Sequence, residues 1–146
     1  MRVVHWRGDW IIHASRKQVY ALMTDFENWP SLMPGIVKST RVVERTDTTA
    51  IVHGVFTLLG QKGEGLMNIQ LDPPHGYYAE NVSRQLGKEW ETLQFQEVDQ
   101  GTLFIWSVKV EPKKFIVRLM APFLSLPIRW FYKRTIILPV RRALEK

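Results

Sequence analysis

The feature that most constrains the fold is a succession of strand-length segments running through the middle of the chain. Six segments rich in β-branched and aromatic residues follow one another, and each ends in residues that favour turns. These segments are residues 36–45, 49–59, 65–72, 76–86, 89–98 and 102–111. Because each segment is one short turn away from the last, the sequence predicts an antiparallel meander.

Helical signals precede this meander. Residues 3–13 mix valine, isoleucine and tryptophan with polar residues and predict a first strand. Ser15 is a suitable N-cap for a helix that follows at once and ends near Asp25. Pro30 and Pro34 leave room for only a short second helix. A strand and two short helices are therefore expected before the meander.

The end of the chain, residues 113–146, has the spacing of a helix. Apolar residues fall on one narrow stripe at a 3.6-residue period. They are Ile116, Leu119, Phe123, Leu126, Trp130, Ile137 and Leu144. We expect this stripe to face the sheet. Pro122, Pro127 and Pro139 interrupt the pattern and predict kinks rather than a straight helix.

Composition limits the class of protein. A chain of 146 residues with 45% hydrophobic residues predicts one domain over 1–146. It has no cysteine, which excludes disulfides and thiolate chemistry, and its start lacks a signal-peptide pattern, so we expect a cytoplasmic protein. Its four histidines show no ligand spacing, and no cofactor motif is present; neither a metal site nor a cofactor is expected.

The positive charge lies in one segment. Residues 113–146 contain nine Lys and Arg residues against one acidic residue, whereas the rest of the chain carries a small acidic excess. Apolar residues on the remaining faces of this helix widen its apolar arc. This pattern predicts peripheral contact with a membrane surface or a homodimer interface, unless the kinks turn these residues into the core. Basic residues interleaved with leucine and phenylalanine do not favour nucleic acid.

Two stretches of sequence resemble a known superfamily. Residues 19–36, VYALMTDFENWPSLMPGI, end a helix in aspartate and continue through an aromatic–proline turn to a second proline. Gly101-Thr102 opens the last strand, with Phe104 and Trp106 after it. These features resemble the polyketide cyclase/dehydrase and coenzyme-Q-binding branch of the START/Bet v 1-like (SRPBCC) superfamily. The resemblance implies an α+β helix-grip fold, in which a curved antiparallel sheet of about seven strands wraps around a long C-terminal helix (β-α-α-β6-α).

The same resemblance implies a cavity between the sheet and the C-terminal helix that accepts a hydrophobic small molecule such as a lipid, an isoprenoid quinone or a polyketide. We expect binding or transport of such a ligand. Two alternatives stay open: an enzyme of the polyketide cyclase/dehydrase type that uses one or two polar cavity residues as acid and base, and a protein-interaction module with a vestigial cavity.

Candidate site residues come from alternation along the predicted strands and from the helical stripe. The residues expected to line the cavity are Phe56, Met67, Phe104, Trp106, Phe123 and Trp130. Arg41 and His53 stand between apolar neighbours and are weak candidates for catalysis, because a neutral histidine inside the cavity would be a general base. Glu89 and Glu91 are expected on a solvated outer face, since burying unpaired charges is costly.

Overall fold

The computed structural model describes residues 3–58, 60–83, 87–112, 119, 123 and 125–145. Before the meander it has β1 (Val4–Ile12), α1 (Arg16–Met23), a 3-10 turn (Phe26–Asn28) and α2 (Trp29–Leu32). The meander consists of β2 (Val37–Arg45), β3 (Thr49–Leu58), β4 (Gln61–Asp72), β5 (Gly76–Ser83), β6 (Gly87–Val98) and β7 (Gly101–Pro112). It is followed by α3 (Ser125–Tyr132), a π-helical turn (Lys133–Ile137) and α4 (Leu138–Leu144).

All seven strands belong to one antiparallel sheet with the order β1-β7-β6-β5-β4-β3-β2. The meander supplies six neighbouring strands, and β1 closes on β7, with Trp10 opposite Phe104 in the register. The concave face of this sheet packs against the helices and holds the core, where Phe95, Phe104 and Ile137 are fully buried. The α+β helix-grip architecture expected from the sequence is confirmed.

The segment between β1 and β2 folds as its local signals predict. The Ser15 hydroxyl accepts a hydrogen bond from the backbone N–H of Gln18 at 3.2 Å, and the Gln18 side chain accepts one from the backbone N–H of Ser15 at 3.0 Å. This capping box satisfies two donors that the start of α1 would otherwise leave free. The indole N–H of Trp29 in α2 donates to the Met23 carbonyl at the end of α1, 3.1 Å away. The two short helices are thereby locked together.

The C-terminal helix presents a different face to the sheet from the one expected. Leu119, Phe123, Leu126 and Trp130 are 58%, 81%, 74% and 61% exposed. The buried residues are instead spaced by four. They are Ile128, Tyr132, Ile136 and Val140. The predicted stripe is therefore wrong for its described N-terminal half, although Ile137 is fully buried as expected; Ile116 lies outside the described residues.

The π-helical turn explains this change of face. The backbone N–H of Leu138 donates to the Lys133 carbonyl, five residues back, so the turn holds one residue more than an α-helical turn. Pro139 follows directly and has no N–H to donate to the carbonyl four residues before it. One extra residue rotates α3 by about 100° relative to its place in a uniform α-helix continuous with α4. The interruption expected near Pro139 is present, and it moves Trp130 to the surface.

Candidate functional site

A pocket lies between the concave face of the sheet and the helices. Met23, Trp29 and Met33 from the α1–α2 segment form one side, and Tyr132 and Ile136 from the C-terminal helix are also part of the lining. The sheet contributes the remaining wall. The pocket has a volume of about 120 Å³. Because an apolar cavity of about 150 Å³ holds benzene, this space matches a single six-membered ring.

Phe56 and Met67 lie on the sheet side of this pocket. The Phe56 ring lies over Gly54, and a Cβ atom at residue 54 would overlap the ring. The glycine thus leaves the space in which the Phe56 ring rests against its own strand. Met67 is buried on β4, opposite Val52 of β3. Contact of either residue with a ligand stays a prediction.

The most unusual feature of the pocket is a pair of carboxyl groups on β6. Glu89 and Glu91 are two residues apart and share the strand face of the buried residues Leu93 and Phe95. The Tyr77 hydroxyl donates to Oε1 of Glu91 at 3.2 Å, and the indole N–H of Trp106 donates to Oε2 at 3.2 Å. Each oxygen of Glu91 is thus held by an aromatic side chain from a neighbouring strand.

Glu89 lacks such donors within the described part of the chain. Its partner in the β5–β6 register is Asn81, which also lines the pocket. The Oδ1 atom of Asn81 is buried and has no hydrogen-bond partner. Buried polar atoms of native proteins are nearly always hydrogen-bonded, so the Asn81 oxygen is an acceptor available to a ligand.

The surroundings change the protonation of both carboxyl groups. Burial, with a smaller contribution from the charge of Glu91, raises the pKa of Glu89 to about 8. Burial also raises the pKa of Glu91, but the hydrogen bonds from Trp106 and Tyr77 act in the opposite direction. The pair therefore holds a proton near neutral pH that an ordinary carboxyl would have lost. Such a pair can donate or accept a proton at physiological pH.

The aromatic donors are themselves fixed. The ring of Tyr132 stacks on Trp106 with centroids 4.2 Å apart and on Trp10 with centroids 5.3 Å apart. Burial, followed by the charge of Glu91, raises the pKa values of Tyr77 and Tyr132 well above the ordinary tyrosine value. Both hydroxyls stay protonated over the physiological range. Tyr77 is therefore a permanent donor to Glu91.

The structure separates the other residues that were expected on the cavity wall. Trp106 reaches the site through its hydrogen bond to Glu91, whereas Phe104 is fully buried in the core, with its ring 5.2 Å from that of Phe95. Phe123 and Trp130 do not meet the expectation, because both are exposed at the surface. Trp130 lines an open groove beside α2, and the guanidinium of Arg134 lies 5.4 Å from its ring centroid.

The two polar candidates lie on the outer face of the sheet. His53 sits between the buried residues Val52 and Gly54 on β3, so its side chain points away from the core. Its Nε2 atom is 2.8 Å from a Glu64 carboxylate oxygen. Arg41 is exposed and opposite His53 in the register. Neither side chain is placed to act as an acid or base inside the pocket.

Sequence reasoning missed the carboxyl pair. The signal that could have found it is the alternation of β6, because Glu89 and Glu91 have the same parity as Leu93 and Phe95. Among the described residues, no group of three or more His, Asp and Glu side chains is arranged to hold a metal ion. Within the same residues, no helix has the length and hydropathy needed to cross a membrane.

Comparison with solved structures supports the same fold. The Thermus thermophilus protein TTHA0849 is 17% identical with a TM-score of 0.80, and the match covers 94% of both chains. The Zhui aromatase/cyclase from Streptomyces sp. R1128 is 11% identical with a TM-score of 0.72, covering 97% of this chain and 91% of that one. A START superfamily protein from Mycobacterium smegmatis is 15% identical with a TM-score of 0.67, covering 91% and 96%.

A search of curated proteins finds no relative of this chain by sequence. The family model described as "Polyketide cyclase / dehydrase and lipid transport" matches residues 12–134. The match begins at Ile12, the last residue of β1, and includes strands β2 to β7 and α3. This is well over half of the chain. The fold, the pocket beneath the sheet and this match agree, and the chain belongs to the polyketide cyclase / dehydrase and lipid transport family.

Proposed function

We propose that this protein is a cytoplasmic carrier that binds a hydrophobic small molecule in the pocket between the sheet and the helices. The observation that carries the proposal is the pocket itself, whose lining is mostly apolar and includes a polar end formed by Glu89, Glu91 and Asn81. Apolar walls with a few convergent polar groups are typical of small-molecule sites. A purely structural interior would be filled by side chains.

The size of the pocket restricts what it holds in this conformation. Ligand pockets for drug-sized molecules usually have volumes of about 300–1,000 Å³, whereas this pocket has about 120 Å³. It therefore accommodates one ring or a short chain segment. A larger lipid or polyketide would enter with one end, or would require the helices to move away from the sheet.

The test uses two variants at neighbouring positions of β4. Met67→Trp places a larger side chain in the pocket, while Leu66→Trp makes a comparable change on the outer face, where Leu66 is 47% exposed. Native mass spectrometry of the purified protein should show a bound small molecule in the wild type and in Leu66→Trp, and its loss in Met67→Trp. Equal loading of both variants, or a wild type that binds no apolar molecule at all, would contradict the proposal.

A specific observation also favours a second candidate, an enzyme of the cyclase/dehydrase type. Glu89 holds a proton near neutral pH beside Glu91, and general acid–base catalysis requires groups that titrate in this range. In this case Glu89→Gln should abolish turnover of a poly-β-ketone substrate while the ligand still binds. Unchanged turnover in Glu89→Gln, or an absence of turnover in the wild type, would count against an enzyme.

We further propose that the surface of the C-terminal helix contacts an anionic membrane, where the carrier takes up its ligand. Four large apolar side chains in this part of the sequence are exposed: Leu119, Phe123, Leu126 and Trp130. Exposed cations lie in α3 and in the π-helical turn that follows it: Arg129, Lys133 and Arg134. Apolar side chains flanked by cations suit the interface of a bilayer that contains anionic lipids.

Vesicle flotation tests this contact. The wild type should float with vesicles containing about 30% phosphatidylserine and should stay in solution with pure phosphatidylcholine. The double variant Arg129→Glu/Lys133→Glu should lose flotation, while Lys17→Glu/Lys109→Glu, an equal charge change at exposed positions elsewhere, should retain it. Equal flotation of the two variants, or a dimer in sedimentation that only the first variant dissociates, would overturn membrane contact.

A further inference from the structure

The polar end of the pocket is rich in hydrogen-bond acceptors. The hydrogens of Tyr77 and Trp106 are both used on Glu91. Glu89 and Asn81 face each other across β5 and β6, and the Asn81 oxygen has no partner. A ligand that brings a donor to this end would satisfy the Asn81 oxygen, because an unsatisfied buried acceptor is costly.

The charge of this end restricts the ligand further. The described residues that line the pocket include no lysine, arginine or histidine side chain. Even when the pair shares one proton, its second carboxyl group is negative. Glu89 and Glu91 are half-buried, and a negative charge partly removed from water without a cationic partner is costly; a cation brought by the ligand would reduce that cost. An anionic ligand end would increase it.

We infer that the pocket prefers a ligand whose inserted end is a ring bearing a primary ammonium group, held between the carboxylates of Glu89 and Glu91. This inference rests on the proposed binding function and adds the chemistry of the ligand. The ammonium group has three donors, enough for both carboxylates and Asn81 Oδ1. The ring occupies the single-ring volume bounded by Trp29, Phe56 and Met67.

Binding of a cation has a second consequence, which is release of a proton. The ammonium takes over the role of the proton on Glu89, and that proton passes to the solvent. The other titratable groups that face Glu89 are Glu91 on the same strand, Tyr77 on β5 and Tyr132 on α3. Both tyrosines stay protonated, so the released proton comes from the carboxyl pair.

The experiment compares four ligands of nearly equal shape: benzylamine, benzyl alcohol, toluene and benzoate. Binding is followed by chemical shift changes of the pocket amides, and protons are counted by calorimetry at pH 7 in two buffers that differ in ionisation enthalpy. Benzylamine should bind roughly tenfold more tightly than benzyl alcohol, because a charged hydrogen bond is worth about this factor. It should release a proton, whereas benzyl alcohol and toluene should release none.

Two variants locate the effect. Glu89→Gln and Glu91→Gln keep hydrogen-bonding side chains in place, and each should reduce the preference for benzylamine; Glu44→Gln, an exposed position on β2, should leave it unchanged. Benzyl alcohol or toluene binding as tightly as benzylamine would overturn the inference and leave a neutral hydrophobic carrier. An unchanged preference in both pocket variants would also overturn it. Failure of all four ligands to bind would refute the proposed binding function as well.

Discussion

Replacing Glu89 by glutamine should change how the stability of the domain depends on pH. The folded protein keeps a proton on Glu89 up to about pH 8, whereas the unfolded chain loses it near pH 4.5. Between these values the folded state binds more protons, so the free energy of unfolding falls as the pH rises. This stabilising contribution is complete below pH 4.5 and is lost once the pH passes about 8. The Glu89→Gln variant has no titrating group at this position and therefore lacks this pH-dependent contribution to stability.

The magnitude follows from the range of pH involved. Each pH unit in which one more proton is bound by the folded state changes the free energy of unfolding by about 1.4 kcal/mol. From pH 6 to pH 8 the upper limit is therefore about 3 kcal/mol, and relaxation around the partly accessible pocket lowers it to roughly 1–2 kcal/mol. For a domain of this size that corresponds to a fall in Tm of about 3–8 °C.

Thermal unfolding followed by circular dichroism at pH 6, 7 and 8 measures this effect. The wild type and the exposed-site control Glu44→Gln should lose stability together over this range, while Glu89→Gln should change by a few tenths of a kcal/mol, as surface substitutions do. A Glu89→Gln variant whose Tm falls with pH as steeply as that of the wild type would show that Glu89 is ionised in the folded protein. This result would refute the claim that the Glu89–Glu91 pair holds a proton near neutral pH.

Three further substitutions test the packing around the site. Ser15→Ala should lower the free energy of unfolding by about 1 kcal/mol, because it removes the cap of α1; an unchanged urea midpoint would contradict this. Phe104→Ala should cost about 3–5 kcal/mol in the same assay, and a loss below about 1 kcal/mol would mean that the ring is not part of the core. Gly54→Val should displace the Phe56 ring from its resting place and weaken benzylamine binding; unaltered affinity would exclude Phe56 from the wall.

The strands could be predicted because two independent signals agree along the meander. Turn residues mark the ends, and β-branched and aromatic residues fill the segments between them. The exception is the start of β4, which begins at Gln61 rather than at Gly65. The glycines at 63 and 65 are typical of a hairpin loop, but both continue the ladder with β3, Gly63 opposite Phe56. A glycine in a strand gives no signal of its own, so the sequence does not reveal that boundary.

The expected outer face of Glu89 and Glu91 is wrong for a reason that concerns energy rather than pattern. The average cost of burying a charge favours an outer face, whereas the alternation of β6 favours the inner one. What offsets the cost at Glu91 is donation by Tyr77 and Trp106, which come from the neighbouring strands β5 and β7. These partners are distant in sequence, and they become visible only when the register of the three strands is known.

The C-terminal helix differs from the prediction for another reason: the apolar pattern is regular, but the helix itself is not a uniform α-helix. A regular 3.6-residue period places Trp130 and Ile137 on the same helix face. The π-helical turn adds one residue between them, so they lie on different faces. Pro139 indicates an interruption of the helix. Its position could not indicate whether the helix would bend, end or take in an extra residue, because each of these satisfies the backbone in a different way.

The stack of Trp10, Tyr132 and Trp106 has a mechanical consequence. It fastens the C-terminal helix to β1 and β7 at one place, because the helix cannot slide along these strands without separating large ring faces. Nearer the end of the helix, the Arg141 guanidinium donates to the Ile11 carbonyl of β1 at 2.9 Å, which is a second attachment to the same edge of the sheet. If the pocket is to admit anything larger than one ring, the helix is therefore expected to stay attached along β1. The opening is then expected on the side of Met33 and Phe56, away from the stack.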